Sequence, residues 1–304
     1  MIPCASFLFF QSLPDPHFKT FNGKTFSYHG ECDLVLMRSK SFDDGKGLSI
    51  HVRTTRMDNY RGAAYSYISA VAVQMGNTVL EVSADDGSLL VDGSGQAFEN
   101  DAAASNGEDV LSFAPGYTLK RSTMGKQGLI VVFDLNLGNK KKINIRCNTR
   151  SMMLFVDVTG YFEDSEGLLG TPVRTRSEGL ESRPNAAGHR FDMTGNWNSY
   201  GEEWQVLDTE PNLFQEQRFP QYPQGCVYES TAFKKNKRIL RRRLLSDSVD
   251  EAALEIEARK ACAQSVGDDT IMNQFCFNDV MATGDLELAE DPFYQHAAST
   301  GAAE

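Results

Sequence analysis

From Leu34 to Val158 the chain reads as one short strand after another, and that succession points to sheet packed on sheet. Leu48-Ser49-Ile50-His51-Val52-Arg53-Thr54 alternates apolar and polar residues, the period of a strand with one face in a core. Ala70-Val71-Ala72-Val73-Gln74 and Thr78-Val79-Leu80-Glu81-Val82 flank Gly76-Asn77, two residues that tolerate positive φ and predict a tight hairpin. Ser88-Leu89-Leu90-Val91 runs into a second turn signal at Asp92-Gly93. Leu129-Ile130-Val131-Val132-Phe133 is apolar throughout, as in a strand buried on both faces. Ile143-Asn144-Ile145-Arg146 and Met152-Met153-Leu154-Phe155-Val156 complete the set. Many short strands separated by Gly, Asn and Asp turns predict a mainly β chain, an antiparallel β-sandwich.

The rest of the chain differs in character. Residues 94–109 are small and polar and read as a surface loop. Beyond Val206, Pro211, Pro220 and Pro223 and the basic run Lys234 to Arg243 mark a Pro-rich and basic linker over 207–247. Ser248-Val249-Asp250-Glu251 fits a helical capping box and opens a small helical module over 248–292. There Leu254, Ala258, Ala261 and Cys262 share a face, Gly267-Asp268-Asp269 ends the first helix, and a second is expected around Ile271 to Met281. Residues 293–304 read as a tail, and 1–14 as an N-terminal segment. Within the latter, Ala5 to Phe10 is apolar but short and follows no basic stretch. A secretory signal takes about 15–30 residues with a charged start, so the segment reads as a truncated signal or as a frayed strand.

Of 304 residues, 41% are hydrophobic and 23% charged, which suits a packed core. The formal net charge of -11 argues against a nucleic-acid partner, which wants clustered Lys and Arg. No apolar run approaches the ~18 residues of a membrane span.

Four motifs stand in order along the chain. They are Asp15-Pro16-His17-Phe18-Lys19-Thr20-Phe21-Asn22-Gly23-Lys24-Thr25-Phe26, then Gly30-Glu31-Cys32-Asp33-Leu34-Val35-Leu36, then Gly167-Leu168-Leu169-Gly170, then Tyr200-Gly201-Glu202-Glu203-Trp204-Gln205-Val206. Their order and spacing resemble the von Willebrand factor type D domain, over about residues 15–206. The resemblance implies a non-catalytic extracellular or cell-surface interaction and adhesion module, part of a matrix or adhesive protein. Its implied partners are other extracellular proteins or glycans. It also implies that Phe18, Phe21, Phe26, Leu34, Leu36, Trp204 and Val206 are core residues. Further on, Ala261-Cys262 and Phe275-Cys276-Phe277-Asn278-Asp279-Val280-Met281-Ala282-Thr283-Gly284-Asp285 are similar to the small helical, cysteine-bearing segment that follows type D domains in several extracellular proteins.

The six cysteines allow 15 connectivities, and none forms a Cys-x-x-Cys pair, which weakens zinc and thioredoxin readings. The resemblance implies a bridge from Cys32 to Cys226, worth ~4–5 kcal/mol in the chain-entropy model. Cys262 and Cys276 are the second expected pair, clasping the two C-terminal helices. Cys4 and Cys147 are left to pair with each other, to stay free or to meet another chain. In a reducing compartment every one of the six would instead be a buried thiol.

The family often binds calcium between a Thr-Phe-Asp-Gly carboxylate and ligands after a Gly-Leu-Cys-Gly motif. A hard cation takes about six to eight oxygens. Here the first position is the neutral Asn22, and Gly170-Thr171-Pro172-Val173-Arg174-Thr175-Arg176 brings two arginines where acidic and amide ligands are expected. That departure argues against calcium, and no other cofactor is expected. In the same loop Leu169 stands where the family has a cysteine.

Two sites of processing are read from the residues. Asp15-Pro16 corresponds to a bond that breaks itself in some relatives, but Pro14 replaces the usual glycine and holds the approach extended. Arg238-Ile239-Leu240-Arg241 has the Arg-x-x-Arg spacing of proprotein convertase sites, although charge runs are more often solvated faces. No catalytic arrangement is visible: the histidines form no metal-spaced pair, and neither a Gly-x-Ser-x-Gly elbow nor a P-loop occurs. The rival readings are a hydrolase with an unrecognised site on the same scaffold and a fragment of a lipid-carrier protein.

Overall fold

The computed structural model describes residues 10–13, 15–28, 30–58, 64–95, 109–114, 116–124, 130–149, 153–172, 197–207, 209–216, 251–267, 270–284 and 286–290. Three antiparallel sheets each follow chain order. The first holds β1 (Phe10–Leu13), β2 (Asp15–Lys19) and β3 (Thr25–Ser27). The second runs through β4 (Asp33–Ser39), β5 (Leu48–Asp58), β6 (Ala64–Met75), β7 (Thr78–Ser83), β8 (Leu89–Val91) and β9 (Ser94–Gly95). The third runs through β10 (Asp109–Ala114), β11 (Tyr117–Met124), β12 (Ile130–Asn136), β13 (Lys142–Asn148) and β14 (Met153–Thr159).

The two large sheets share one core, which makes the architecture a sandwich. Ile50, Val52, Val71, Val73, Leu80 and Val82 from one sheet join Val131, Phe133, Leu135, Ile143, Ile145, Leu154, Val156 and Val158 from the other. These are the alternate positions of their strands, as a period of two requires. The apolar run in β12 is buried on both faces, Ile130 and Val132 with Val131 and Phe133. The hairpin at Gly76-Asn77 forms with Met75 paired to Thr78, and Gly76 takes φ 57°. Asp92 and Gly93 join β8 to β9, both at positive φ.

The C-terminal helices are α3 (Glu251–Val266) and α4 (Thr270–Thr283), followed by a 3₁₀ turn at Leu286–Glu290. The earlier segments α1 (Phe42–Gly45) and α2 (Trp197–Glu203) are one and two turns long. Gly267, at φ 70°, ends α3 with its N–H on the Ala263 carbonyl, 3.1 Å away. Leu254, Ala258 and Cys262 of α3 are buried, with Ala261 beside them. They pack with Cys276 and Val280 of α4 against Tyr67 of β6 and Phe155 of β14. The helical module is therefore seated on side chains from both large sheets. The ring of His17, in β2, stacks on Phe275 with centroids 4.0 Å apart.

The stretch after Val206, expected as linker, begins by lying on the sandwich. Leu213 and Phe214 pack on Ala70 and Ala72 of β6, and Gln215 N–H donates to Glu81.

Candidate functional site

β4 is the outermost strand of its sheet, so one row of its N–H and C=O groups has no strand beside it. Two distant pieces of chain cover that row. Val35 N–H donates to the Trp204 carbonyl at 2.8 Å and Val206 N–H to the Asp33 carbonyl at 2.8 Å. Leu168 and Leu169 N–H donate to the Val35 and Leu36 carbonyls, both at 3.1 Å, and Arg38 exchanges two backbone bonds with Glu166. Both covering pieces are motifs singled out above, and so is β4 itself. The glycines among them make close approach workable. A Cβ on Gly167 would lie 2.6 Å from the Leu36 carbonyl oxygen, and one on Gly201 2.3 Å from the Tyr28 ring. Beneath this seam Phe18 stacks on Phe26, Phe26 meets Tyr200 edge-on, and all three sit in the core with Phe21, Leu34, Leu36 and Trp204. Val206 packs against them. Phe21 N–H reaches the Leu169 carbonyl at 2.9 Å, tying the first motif to the third.

Two arginines that the sequence did not single out fasten the same region. Arg38 bridges Glu166 (2.5 Å) and Glu210 (2.7 Å). Arg53 grips Asp33 with two hydrogen bonds of 2.7 and 2.8 Å, donates to the Glu216 carbonyl, and lies 4.3 Å from the centre of the Phe214 ring. No local signal marks these pairs, because their members are far apart in the chain.

The expected site residues fall as follows. Cys32 is fully buried and disulfide-bonded, while Cys226 lies outside the described residues. Cys262 and Cys276 are bonded to each other, linking α3 to α4. Asp15 and Pro16 lie in β2, opposite Leu13 and Ser12 of β1, and the Pro16 carbonyl accepts from Tyr28 N–H at 3.0 Å. Arg238 and Arg241 lie outside the described residues, as does Cys4. Cys147 is a free buried thiol that donates weakly to the Ala84 carbonyl at 3.6 Å. Burial, reinforced by Asp86 and Asp85, pushes its pKa up to about 12, so it is protonated and no nucleophile at neutral pH.

Asn22 is the first position of the calcium expectation. Its Oδ1 accepts from the Thr20 hydroxyl and, at 3.4 Å, from Lys24 N–H, so the oxygen is engaged inside its own turn. Its Nδ2, a donor, is buried without an acceptor. Among the described residues no group of three or more His, Cys, Asp or Glu is placed to hold a metal ion. Residues 173–176 of the second expected ligand loop lie outside the described residues.

Among the described residues a cleft opens between α1 and the hairpin joining β12 to β13. Its volume is about 210 Å³, and its lining includes Phe42, Asp43, Lys46, Tyr117, Leu137, Asn139 and Lys141. Asp43 Oδ2 accepts from Lys46 Nζ at 2.7 Å and from the Tyr117 hydroxyl at 2.5 Å. Those two bonds, Lys46 first, hold the Asp43 carboxyl below the usual carboxylate range. Burial and Asp43 raise the Tyr117 hydroxyl. Lys141 Nζ sits 4.9 Å from the centre of the Phe162 ring and 5.5 Å from that of Phe42, within cation–π range.

Fold and motifs together define a β-sandwich module whose signature residues fill its core and line the edge of β4. The profile of the von Willebrand factor type D domain matches residues 13–171, and the chain belongs to that family. Its modules are generally extracellular and non-enzymatic. No curated protein matches the chain.

Proposed function

We propose that the chain is a non-catalytic interaction and adhesion module of a matrix or cell-surface protein, engaging other extracellular proteins or glycans. The observation that carries this reading is how the family's signature residues are used. The Gly167–Gly170 and Tyr200–Val206 motifs are hydrogen-bonded to the edge of β4, and the aromatic residues of the first motif are buried in the core. Little of the signature is left to do chemistry, so function belongs to exposed turns and loops that a rigid scaffold presents. The reading includes secretion, a bridge from Cys32 to Cys226, no bound cofactor, and exposure of Arg238-Ile239-Leu240-Arg241 to a convertase. Asp15-Pro16 is read as an ordinary strand peptide.

The test is expression of the full chain through a secretory pathway, followed by peptide mapping without reduction and by adhesion assays on matrix proteins and immobilised glycans. Joined Cys32 and Cys226 with retention on at least one matrix surface support the reading. Six free thiols, or turnover of ester or peptide substrates by the purified chain, would overturn it.

A further inference from the structure

We propose that the cleft between α1 and the β12–β13 hairpin binds one acidic sugar of a glycan chain, a ring bearing a carboxylate or a sulfate. The inference rests on the adhesion reading and names the ligand class and the residues.

Three polar groups at this cleft keep hydrogen-bonding or ion-pairing capacity to spare among the described residues. Both hydrogen bonds to Asp43 fall on Oδ2, which leaves Oδ1 as an acceptor. Lys141 Nζ faces two aromatic rings and pairs with no carboxylate. Asn139, exposed at the hairpin tip, has its amide uncommitted. Phe42, Tyr117 and Leu137 are buried behind these groups, so the surface the cleft offers is mostly polar.

The set of vacant partners selects the ligand. Asp43 Oδ1 calls for a donor, and Lys141 for an anion. An aspartate or glutamate side chain offers acceptors only and is repelled by Asp43. A lysine or arginine side chain satisfies Asp43 but is repelled by Lys46 and Lys141. A neutral sugar satisfies Asp43 and Asn139 and leaves Lys141 unmatched. An acidic sugar carries hydroxyl donors and an anionic group together, which matches the mostly polar lining. The volume is below the ~300–1,000 Å³ of sites that enclose a drug-sized ligand, so a single ring enters and the rest of the chain stays in solvent. The two walls are also set in advance. Asp43, Asp44, Asn139 and Lys140 are four of the five described non-glycine residues at positive φ, and they form the two turns flanking the cleft. Such backbone is retained where the surrounding structure over-determines it, and it fixes Asp43 and Asn139 before any ligand arrives. The lining carries Lys46, Lys141 and Asp43, a local positive excess on a chain whose net charge is -11.

Calorimetric titration of the full chain with a hyaluronan tetrasaccharide, a chondroitin sulfate tetrasaccharide and chitotetraose tests this. Binding of either acidic tetrasaccharide, with none of the neutral one, is expected, and the two acidic arms tell carboxylate from sulfate. Lys141→Met keeps the apolar stem and removes the charge, and is expected to weaken binding about tenfold or more. Asp43→Asn keeps the shape and weakens it severalfold. Lys120→Met, on the exposed face of β11, removes the same charge elsewhere and leaves affinity unchanged. Equal loss from Lys120→Met and Lys141→Met would mean diffuse charge attraction and overturn the site. So would equal affinity for chitotetraose, or no binding of any of the three. If the sugar arms fail while the wild-type chain still adheres to matrix proteins, only the site is wrong. If it adheres to nothing, the adhesion reading falls with it.

Discussion

At Gly201 the absence of a side chain is a packing requirement. A methyl there would meet the Tyr28 ring at 2.3 Å, and Tyr28 is fully buried. Gly201→Ala is expected to cost about 1–3 kcal/mol, as overpacked cores do, read as a lower urea midpoint with unchanged slope. Asp157 has the opposite character, a carboxyl the fold holds at a loss. Its Oδ1 is buried with no partner. Burial raises its pKa to about 7, with Arg146 opposing and Asp134 adding to the rise. Between an ordinary carboxylate pKa and about 7, the folded chain holds a proton that the unfolded chain releases. The contribution to stability is therefore intact at about pH 4 and is lost as pH rises through about 7. Asp157→Asn is expected to raise the unfolding free energy by about 1–2 kcal/mol at pH 8 and to change it little at pH 4. Urea midpoints at the two pH values check this, and an equal shift at both would refute it.

Among the elements, local pattern and long-range contact separate cleanly. Strand alternation, the Gly76-Asn77 hairpin, the Asp92-Gly93 turn and the two C-terminal helices were legible because each is dictated by neighbours in the chain. α3 runs over Glu251–Val266, from the end of the expected capping box to the expected stop at Gly267, and α4 over Thr270–Thr283, where a helix around Ile271 to Met281 was expected. The aromatic core was legible through the family motifs. The cover on β4 was not, since Arg38 meets partners 128 and 172 residues away and no periodicity encodes that. Nor was the cleft, whose walls come from separate parts of the chain and whose Asp43-Asp44 pair turns left-handed without a glycine at either position. The bond between Cys262 and Cys276 spans 14 residues. Replacing both with alanine is expected to remove about 3 kcal/mol from the helical module. Hydrogen exchange should then show α3 and α4 losing protection while β12 to β14 keep theirs. Uniform loss would mean that helices and sandwich unfold as one unit.

For the molecule as a whole, the helical module matters because it spans the seam between layers, touching Tyr67 of one sheet and Phe155 of the other. A net charge of -11 opposes close approach of two copies, while the cleft stands as a positive exception. Both features leave the long edges of the sheets as the hazard a sandwich must manage. Gly167→Val, which drives a branched side chain into the Leu36 carbonyl at a backbone φ of 125°, is expected to peel the Glu166–Leu169 loop away. Concentration-dependent growth in light scattering should follow, and a variant that stays monomeric at every concentration with an unchanged melting temperature would contradict this. On this expectation the wild-type loop guards the β4 edge against runaway polymerisation. With that edge closed, a neighbouring chain finds only side chains to recognise there, and no open backbone row to template on.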